Sequence, residues 1–136
     1  MPSVSPMELA RVPLFGALSE SELAEVATWF EVKEVGAGVR LVGEGATGYS
    51  FFVLGDGEVS VTVQGEEVAT LGGGDFFGEM ALLGGEGRRQ ATVTTTSAVR
   101  LFVLFGDDFK RFQTTHPYTT SQIEAAMQKR AEELGS

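Results

Sequence analysis

The distribution of glycine constrains the fold of this chain more than any other feature. Fifteen of its 18 glycines lie between positions 36 and 87, where they separate short runs rich in Val, Phe, Leu and Thr. Tight turns favour glycine because it adopts backbone conformations that strain other residues. Short β-branched and aromatic runs between such turns are typical of antiparallel strands. The pattern predicts a mainly β protein, an antiparallel β-barrel of the double-stranded β-helix or jelly-roll type, with flanking helices.

Within this region the sequence predicts seven strands and two hairpin turns, the turns at residues 55–57 and 64–66. A G-x-G-x-x-G pattern at 43–48 is interpreted as a turn, because the dinucleotide fingerprint requires a helix directly after the glycines and the residues that follow have strand character. The predicted strands are 31–35, 39–42, 49–54, 58–63, 67–71, 91–97 and 99–104.

Helices are predicted on both sides of the strands. Residues 14–30 are predicted to be a helix, with a capping box formed by Ser19 and Glu22. A short helix is predicted at 107–112, and a second is expected to begin near Pro117. The length suits a single domain over residues 1–136. Its expected parts are a flexible lead (1–11), an N-terminal helical part (12–30), the β-barrel (31–104) and C-terminal helices (105–134).

Composition excludes several classes of function. The chain has no cysteine and one histidine, which argues against disulfides, iron–sulfur clusters and histidine metal sites. Its net charge of −9 opposes direct binding of nucleic acid. No signal-peptide pattern is seen, and no apolar run reaches the roughly 20 residues that span a bilayer. No nucleophile has a nearby base, so we expect that the protein is not an enzyme. From the composition we also expect a cytoplasmic protein that binds neither a metal nor a membrane.

The segment from Phe77 to Val93 carries the groups that a sugar phosphate requires. Gly78 permits close approach of the backbone to an anion, and a helix beginning there would direct free N–H groups at the same point. An arginine supplies a charged, planar set of donors for phosphate oxygens. Glu79 suits such a site if it accepts a hydrogen bond from a neighbouring hydroxyl, which a ribose offers. The residues therefore predict a site for a sugar phosphate.

The sequence FGEMALL at 77–83, followed by RQATV at 89–93, resembles the phosphate-binding cassette of the cyclic nucleotide-binding domain family. This family includes the catabolite activator protein, the regulatory subunits of cyclic AMP-dependent kinase and cyclic nucleotide-gated channels. The resemblance extends over nearly the whole chain, including VPLF at 12–15 and FFVL at 51–54. It implies a cyclic mononucleotide ligand, cyclic AMP or cyclic GMP with cyclic AMP preferred, and no further cofactor.

The same resemblance implies roles for individual residues. Glu79 would accept a hydrogen bond from the ribose 2′-hydroxyl, and Arg89 would pair with the cyclic phosphate. Gly78 and Ala81 would donate backbone N–H groups, and Gln90 would lie near the purine. The implied ligand-binding residues are Gly78, Glu79, Met80, Ala81, Arg89, Gln90, Ala91 and Thr92.

The cassette departs from the family pattern in the loop 84–88, which is about one residue longer than in many relatives. A glycine, Gly87, also stands where a proline often precedes the arginine. Two neighbouring arginines could therefore meet the phosphate. Arg89 is assigned to it rather than Arg88, because Arg89 keeps the family spacing to Ala91 and Thr92.

The function predicted from this resemblance is a regulatory sensor that moves its flanking helices on binding and acts on an effector protein or domain. Two alternatives are a barrel that serves protein interaction or oligomerisation without nucleotide, and the ligand domain of a larger regulator. The apolar stripe of the last helix has three interpretations. Ile123, Met127 or Arg130 closes over the base, the stripe packs on the barrel, or it forms the seam of a homodimer.

Overall fold

The computed structural model describes residues 4–43, 50–78 and 91–135, with side chains except at 127 and 130–135. It contains two four-stranded antiparallel sheets. Sheet 1 has the order β1-β8-β3-β6 and sheet 2 the order β2-β7-β4-β5. The strands are β1 Glu31–Val35, β2 Arg40–Val42, β3 Ser50–Asp56, β4 Glu58–Val63, β5 Glu66–Gly72, β6 Phe76–Phe77, β7 Thr92–Thr95 and β8 Val99–Phe105.

Helices lie on both sides of the strand region in the sequence and pack on one face of sheet 1. Two precede β1 and two follow β8, and a short 3-10 turn at Pro13–Phe15 joins the first two. The helices are α1 Pro6–Ala10, α2 Glu20–Ala27, α3 Gly106–Thr115 and α4 Pro117–Gly135. None of them, over the residues described, combines the length and apolar character needed to cross a membrane.

Two apolar cores separate these layers, and strand β3 contributes to both. Phe51 and Val53 belong to the helix-layer core, which also contains Phe112 of α3. Leu54, from the opposite face of β3, belongs to the inter-sheet core together with Val59 of sheet 2. Alternate side chains of a strand point to opposite faces, so one strand supplies both layers. The predicted fold, mainly antiparallel β with flanking helices, is confirmed.

The two predicted hairpin turns have different outcomes. Residues 64–65 do join a hairpin, since Val63 pairs with Glu66 and both turn residues have positive φ, 52° at Gln64 and 82° at Gly65. This geometry is typical of a two-residue turn matched to strand twist. Residues 55–57 are not a hairpin turn, because β3 belongs to sheet 1 and β4 to sheet 2. They carry the chain from one sheet to the other.

Where the sequence predicts a flexible lead over residues 1–11, the described part contains a helix that packs against sheet 1. Residues 6–10 form α1, which is closed by a capping box: Ser5 Oγ accepts from the Glu8 backbone N–H at 3.1 Å. Leu9 is fully buried in the helix-layer core. The Glu8 carboxylate also pairs with Arg100 of β8, with 2.9 Å between Oε2 and Nε. A cap, a buried side chain and an ion pair together hold this segment against sheet 1.

The predicted helix at 14–30 is shorter than expected, although its capping box is confirmed. Ser19 Oγ accepts from the Glu22 backbone N–H at 3.2 Å, and Glu22 Oε1 accepts from the Ser19 N–H at 2.9 Å. The helix therefore begins after Ser19, and Pro13 instead begins the preceding 3-10 turn. Both C-terminal helices are present, the first extending beyond the predicted 107–112. Strand β6 was not predicted, because two residues carry no recognisable alternation.

Glu8→Gln is expected to lower the free energy of unfolding at pH 7 by about 1 kcal/mol, the usual scale for a well-formed surface ion pair. The hydrogen bond from Arg100 lowers the pKa of Glu8 in the folded protein. The carboxylate therefore stabilises the fold fully above its unfolded pKa, and this contribution is lost as the pH falls through the folded pKa. Urea denaturation of the wild type and of Glu8→Gln at pH 7 and pH 3 measures the difference in their free energies of unfolding.

Glutamine can still accept the Ser5 backbone hydrogen bond, so this substitution isolates the charge. The matched control is Glu25→Gln, an exposed carboxylate on α2, which should change stability by less than about 0.5 kcal/mol. A wild-type advantage that stays the same at pH 3 would contradict the role of the Glu8–Arg100 pair.

Candidate functional site

The structure describes the two ends of the predicted cassette. Gly78 directly follows β6, and Ala91 directly precedes β7, which begins at Thr92. The assigned roles of the residues between these ends remain predictions. The remaining predicted site residues, Glu79, Met80, Ala81, Arg89 and Gln90, lie outside the described residues, as does Arg88.

Both ends of the cassette are anchored in the inter-sheet core. Phe77, immediately before Gly78, is 4% exposed, and Val93, immediately after Thr92, is also 4% exposed. The two side chains belong to the same apolar cluster, although they come from different sheets. The topology thus brings residues 16 positions apart in the sequence to one core, the first in β6 of sheet 1 and the second in β7 of sheet 2.

Gly78 has a φ of +93°, which lies in the left-handed region. A residue with a Cβ atom is strained there by roughly 1–2 kcal/mol, whereas glycine adopts the conformation readily. Backbone geometry therefore favours glycine at position 78, while its role beside an anion remains a prediction.

Half-buried apolar side chains surround the cassette ends. Val42 and Val61 flank Val93 in sheet 2, where both pair with it, and Phe52 of sheet 1 pairs with Phe77. These flanking side chains are only partly buried, as is Leu71, whereas Leu54 and Val59 beside them are fully buried. The four partly buried side chains, Val42, Phe52, Val61 and Leu71, are called the apolar wall. Sequence reasoning did not assign these residues to the site, although strand alternation could have placed them on the inner face. An apolar wall of this kind suits a planar ring.

Among the described residues, the groups with clearly shifted pKa values lie on the helical side of sheet 1. A hydrogen bond from the Ser19 backbone lowers the pKa of Glu22, and the hydrogen bond to Glu8 raises that of Arg100. These interactions cap α2 and dock α1. In the part of the chain that the structure describes, the shifted groups thus have structural explanations rather than catalytic ones.

The apolar stripe of α4 packs inward at Ile123. Ile123 is fully buried in the helix-layer core. In this structure Ile123 therefore packs on sheet 1, and its closure over a bound base remains a prediction. The side chains of Met127 and Arg130 lie outside the described residues.

Comparison with known proteins gives consistent matches. The sequence profile of the family described as cyclic nucleotide-binding domain matches residues 32–116, which include the whole cassette. A cyclic nucleotide-gated potassium channel of Rhizobium etli is 34% identical over 123 residues, covering 90% of this chain and 34% of the channel. A cAMP-dependent protein kinase regulatory subunit of Yarrowia lipolytica is 38% identical over 105 residues, covering 76% of this chain and 28% of that protein.

Solved structures agree with these sequence matches. One described as "Sp-2Cl-cAMPS bound to PKAR CBD2" superposes with a TM-score of 0.81 at 27% identity, covering 94% of this chain and 87% of that one. The chain spans only about a third or less of the length of the two curated relatives, at 34% and 28%. The match therefore concerns one domain of those proteins.

Proposed function

Because this chain belongs to the cyclic nucleotide-binding domain family, we propose that it binds cyclic AMP and moves its flanking helices in response. One observation carries the proposal: both ends of the cassette sequence meet a half-buried apolar wall between two sheets, and Gly78 at one of these ends has a positive φ that favours glycine. An apolar wall for a base, next to a segment rich in anion-binding groups, is the arrangement a nucleotide requires.

In this proposal each part of the nucleotide has its own partner. The purine lies against the sheet 2 side of the apolar wall, near Val42 and Val61. Arg89 pairs with the cyclic phosphate through a charge-assisted contact, and Glu79 accepts a hydrogen bond from the ribose 2′-hydroxyl. The net charge of −9 repels an anionic ligand at long range, so the site needs this local positive charge. The domain binds its ligand without chemical change and passes the signal to an effector protein or domain.

The proposed helix movement has a physical route through sheet 1. Strand β3 faces the inter-sheet core with Phe52 and the helix layer with Phe51. The ring of Phe51 contacts the ring of Phe109 in α3, with 5.2 Å between their centroids. A shift of β3 on the ligand side would therefore change the packing of α3. A ligand can drive this shift only if it binds the two arrangements with different affinity.

Isothermal titration calorimetry with cyclic AMP, cyclic GMP and 5′-AMP tests the binding. We expect saturable binding of one cyclic nucleotide per chain, tightest for cyclic AMP and weakest for 5′-AMP, which lacks the cyclic phosphate. Ligand that binds the folded state should also raise the melting temperature. The absence of both binding heat and a thermal shift at millimolar ligand would refute nucleotide binding. It would favour an interaction or oligomerisation domain. Tighter binding of cyclic GMP would change the ligand assignment.

Amide hydrogen exchange with and without ligand tests the helix movement separately. We expect saturating cyclic AMP to change exchange rates in α3 and α4, which pack on the face of sheet 1 opposite the proposed site. Binding that alters exchange only next to the inter-sheet core would show a sensor without the proposed movement.

A further inference from the structure

Strand β6 consists of two residues, and an aromatic contact holds it to β3 on each face of sheet 1. In the antiparallel register Phe52 lies opposite Phe77, and Val53 lies opposite Phe76. On the inner face the rings of Phe52 and Phe77 are stacked, with 4.8 Å between centroids and 12° between planes. On the helix face Phe76 contacts Phe51 at 5.6 Å. Such cross-strand aromatic pairs are a main source of stability in sheets.

The position of β6 determines where the cassette begins. Gly78 follows Phe77 directly and has a φ of +93°. The residues before β6 are held by backbone hydrogen bonds to Leu54, from its N–H to Asp75 O at 2.8 Å and from the Gly74 N–H to its carbonyl at 2.7 Å. On the inner face, the Phe52–Phe77 ring pair is a side-chain contact that reaches the residue directly before Gly78. The stack therefore contributes to the orientation of the exit.

Burial suggests that Phe52 contributes more to this orientation than to overall stability. Its ring is only partly buried, whereas Phe77 beneath it is 4% exposed. A partly exposed ring gains less from the hydrophobic effect than a core ring. Its parallel stacking nevertheless restricts the rotamer and position of Phe77. This combination is expected of a residue that positions its neighbour.

We propose that Phe52 is a positioning residue for the nucleotide site: its ring, stacked on Phe77, sets the direction in which the chain leaves β6 at Gly78. This inference rests on the proposed function, because it concerns the affinity of the same site. Phe52→Leu should weaken cyclic AMP binding about three- to tenfold, the scale of one aromatic pair. Phe52→Tyr keeps the ring and should retain affinity within about twofold of wild type.

Phe102→Leu is the control for lost stability. Phe102 lies on the neighbouring strand β8, is 1% exposed and packs in the helix-layer core. The same chemical change there should lower the melting temperature more than Phe52→Leu does, and leave affinity within about twofold at a temperature where all variants are folded. If Phe52→Leu folds poorly, Phe52→Met removes the ring while retaining an unbranched apolar side chain. Unchanged affinity in the ringless variants, or an equal loss in Phe102→Leu, would overturn the proposal.

A measurement without ligand separates this inference from the proposed function. In the free protein, Phe52→Leu should speed amide exchange at Phe77 and Gly78 beyond the change explained by global stability, and Phe102→Leu should not. If the wild type binds no cyclic nucleotide, the proposed function fails while exchange still reports whether the stack holds β6. Equal exchange at Phe77 and Gly78 in wild type and Phe52→Leu would overturn the positioning role itself.

Discussion

Replacing Arg89 by alanine is expected to weaken cyclic AMP binding about ten- to hundredfold, because a charge-assisted hydrogen bond contributes roughly 1.5–3 kcal/mol. The loss should be visible in the dissociation constant from calorimetry, without an equal loss of melting temperature in the free protein. Arg89→Lys keeps the positive charge but removes the planar set of donors. Its affinity should therefore lie between those of the wild type and the alanine variant.

The matched control is Arg88→Ala, which removes the same charge one position earlier. We expect it to change affinity by no more than about twofold, because a charge that makes no direct contact with the phosphate acts only at long range and is screened by salt. The reverse result, a strong loss for Arg88→Ala and little change for Arg89→Ala, would shift the cassette register by one residue. Equal losses in both variants would indicate a general electrostatic effect and contradict a specific phosphate contact.

Gly57→Ala is expected to lower the free energy of unfolding by roughly 2–5 kcal/mol, which would remove much of the stability of a typical small domain. Gly57 has a φ of +96°, and an added Cβ would overlap the Ala98 carbonyl oxygen and lie 2.7 Å from Val99 Cγ1. Backbone strain and a clash with neighbouring backbone therefore act together. Urea denaturation followed by the fluorescence of the single tryptophan, Trp29, measures the loss.

Gly65→Ala separates strain from clash. Gly65 has a similar φ of +82°, but an added Cβ would have nothing within 4 Å. We expect this variant to lose only the backbone term, about 1–2 kcal/mol. A Gly57→Ala loss no larger than that of Gly65→Ala would mean that the chain relaxes around the new methyl group, and that close packing at the crossing between the sheets is not essential.

Features encoded within a few neighbouring residues were predictable from the sequence. The capping box of Ser19 and Glu22 is a local exchange of hydrogen bonds, and the two-residue turn at Gln64 depends on the glycine beside it. Most strand positions follow from residue type and from the spacing of glycines. The cassette resemblance carried the family assignment, because it combines particular residue types with a particular order and is therefore specific.

Contacts between distant residues could not be predicted in this way. The glycines at 55–57 signal a turn, but only strand pairing shows that the chain passes between sheets there. The ion pair that helps to hold α1 against sheet 1 joins Glu8 to Arg100, which lies 92 positions away in the sequence. Likewise, β6 is too short to have a pattern of its own and forms because Phe52 and Phe77 meet across the sheet edge.

The sequence by itself thus determined the class of fold and the chemical groups of the proposed site. Turn propensity, capping and side-chain alternation act over a few residues and can be recognised without knowing their neighbours in space. The tertiary structure decided that β6, before Gly78, and β7, which begins at Thr92, lie in different sheets on either side of one core. It also decided that β3 contacts both this core and the helix layer. These arrangements arise from burial and strand register, which depend on how distant segments pack together.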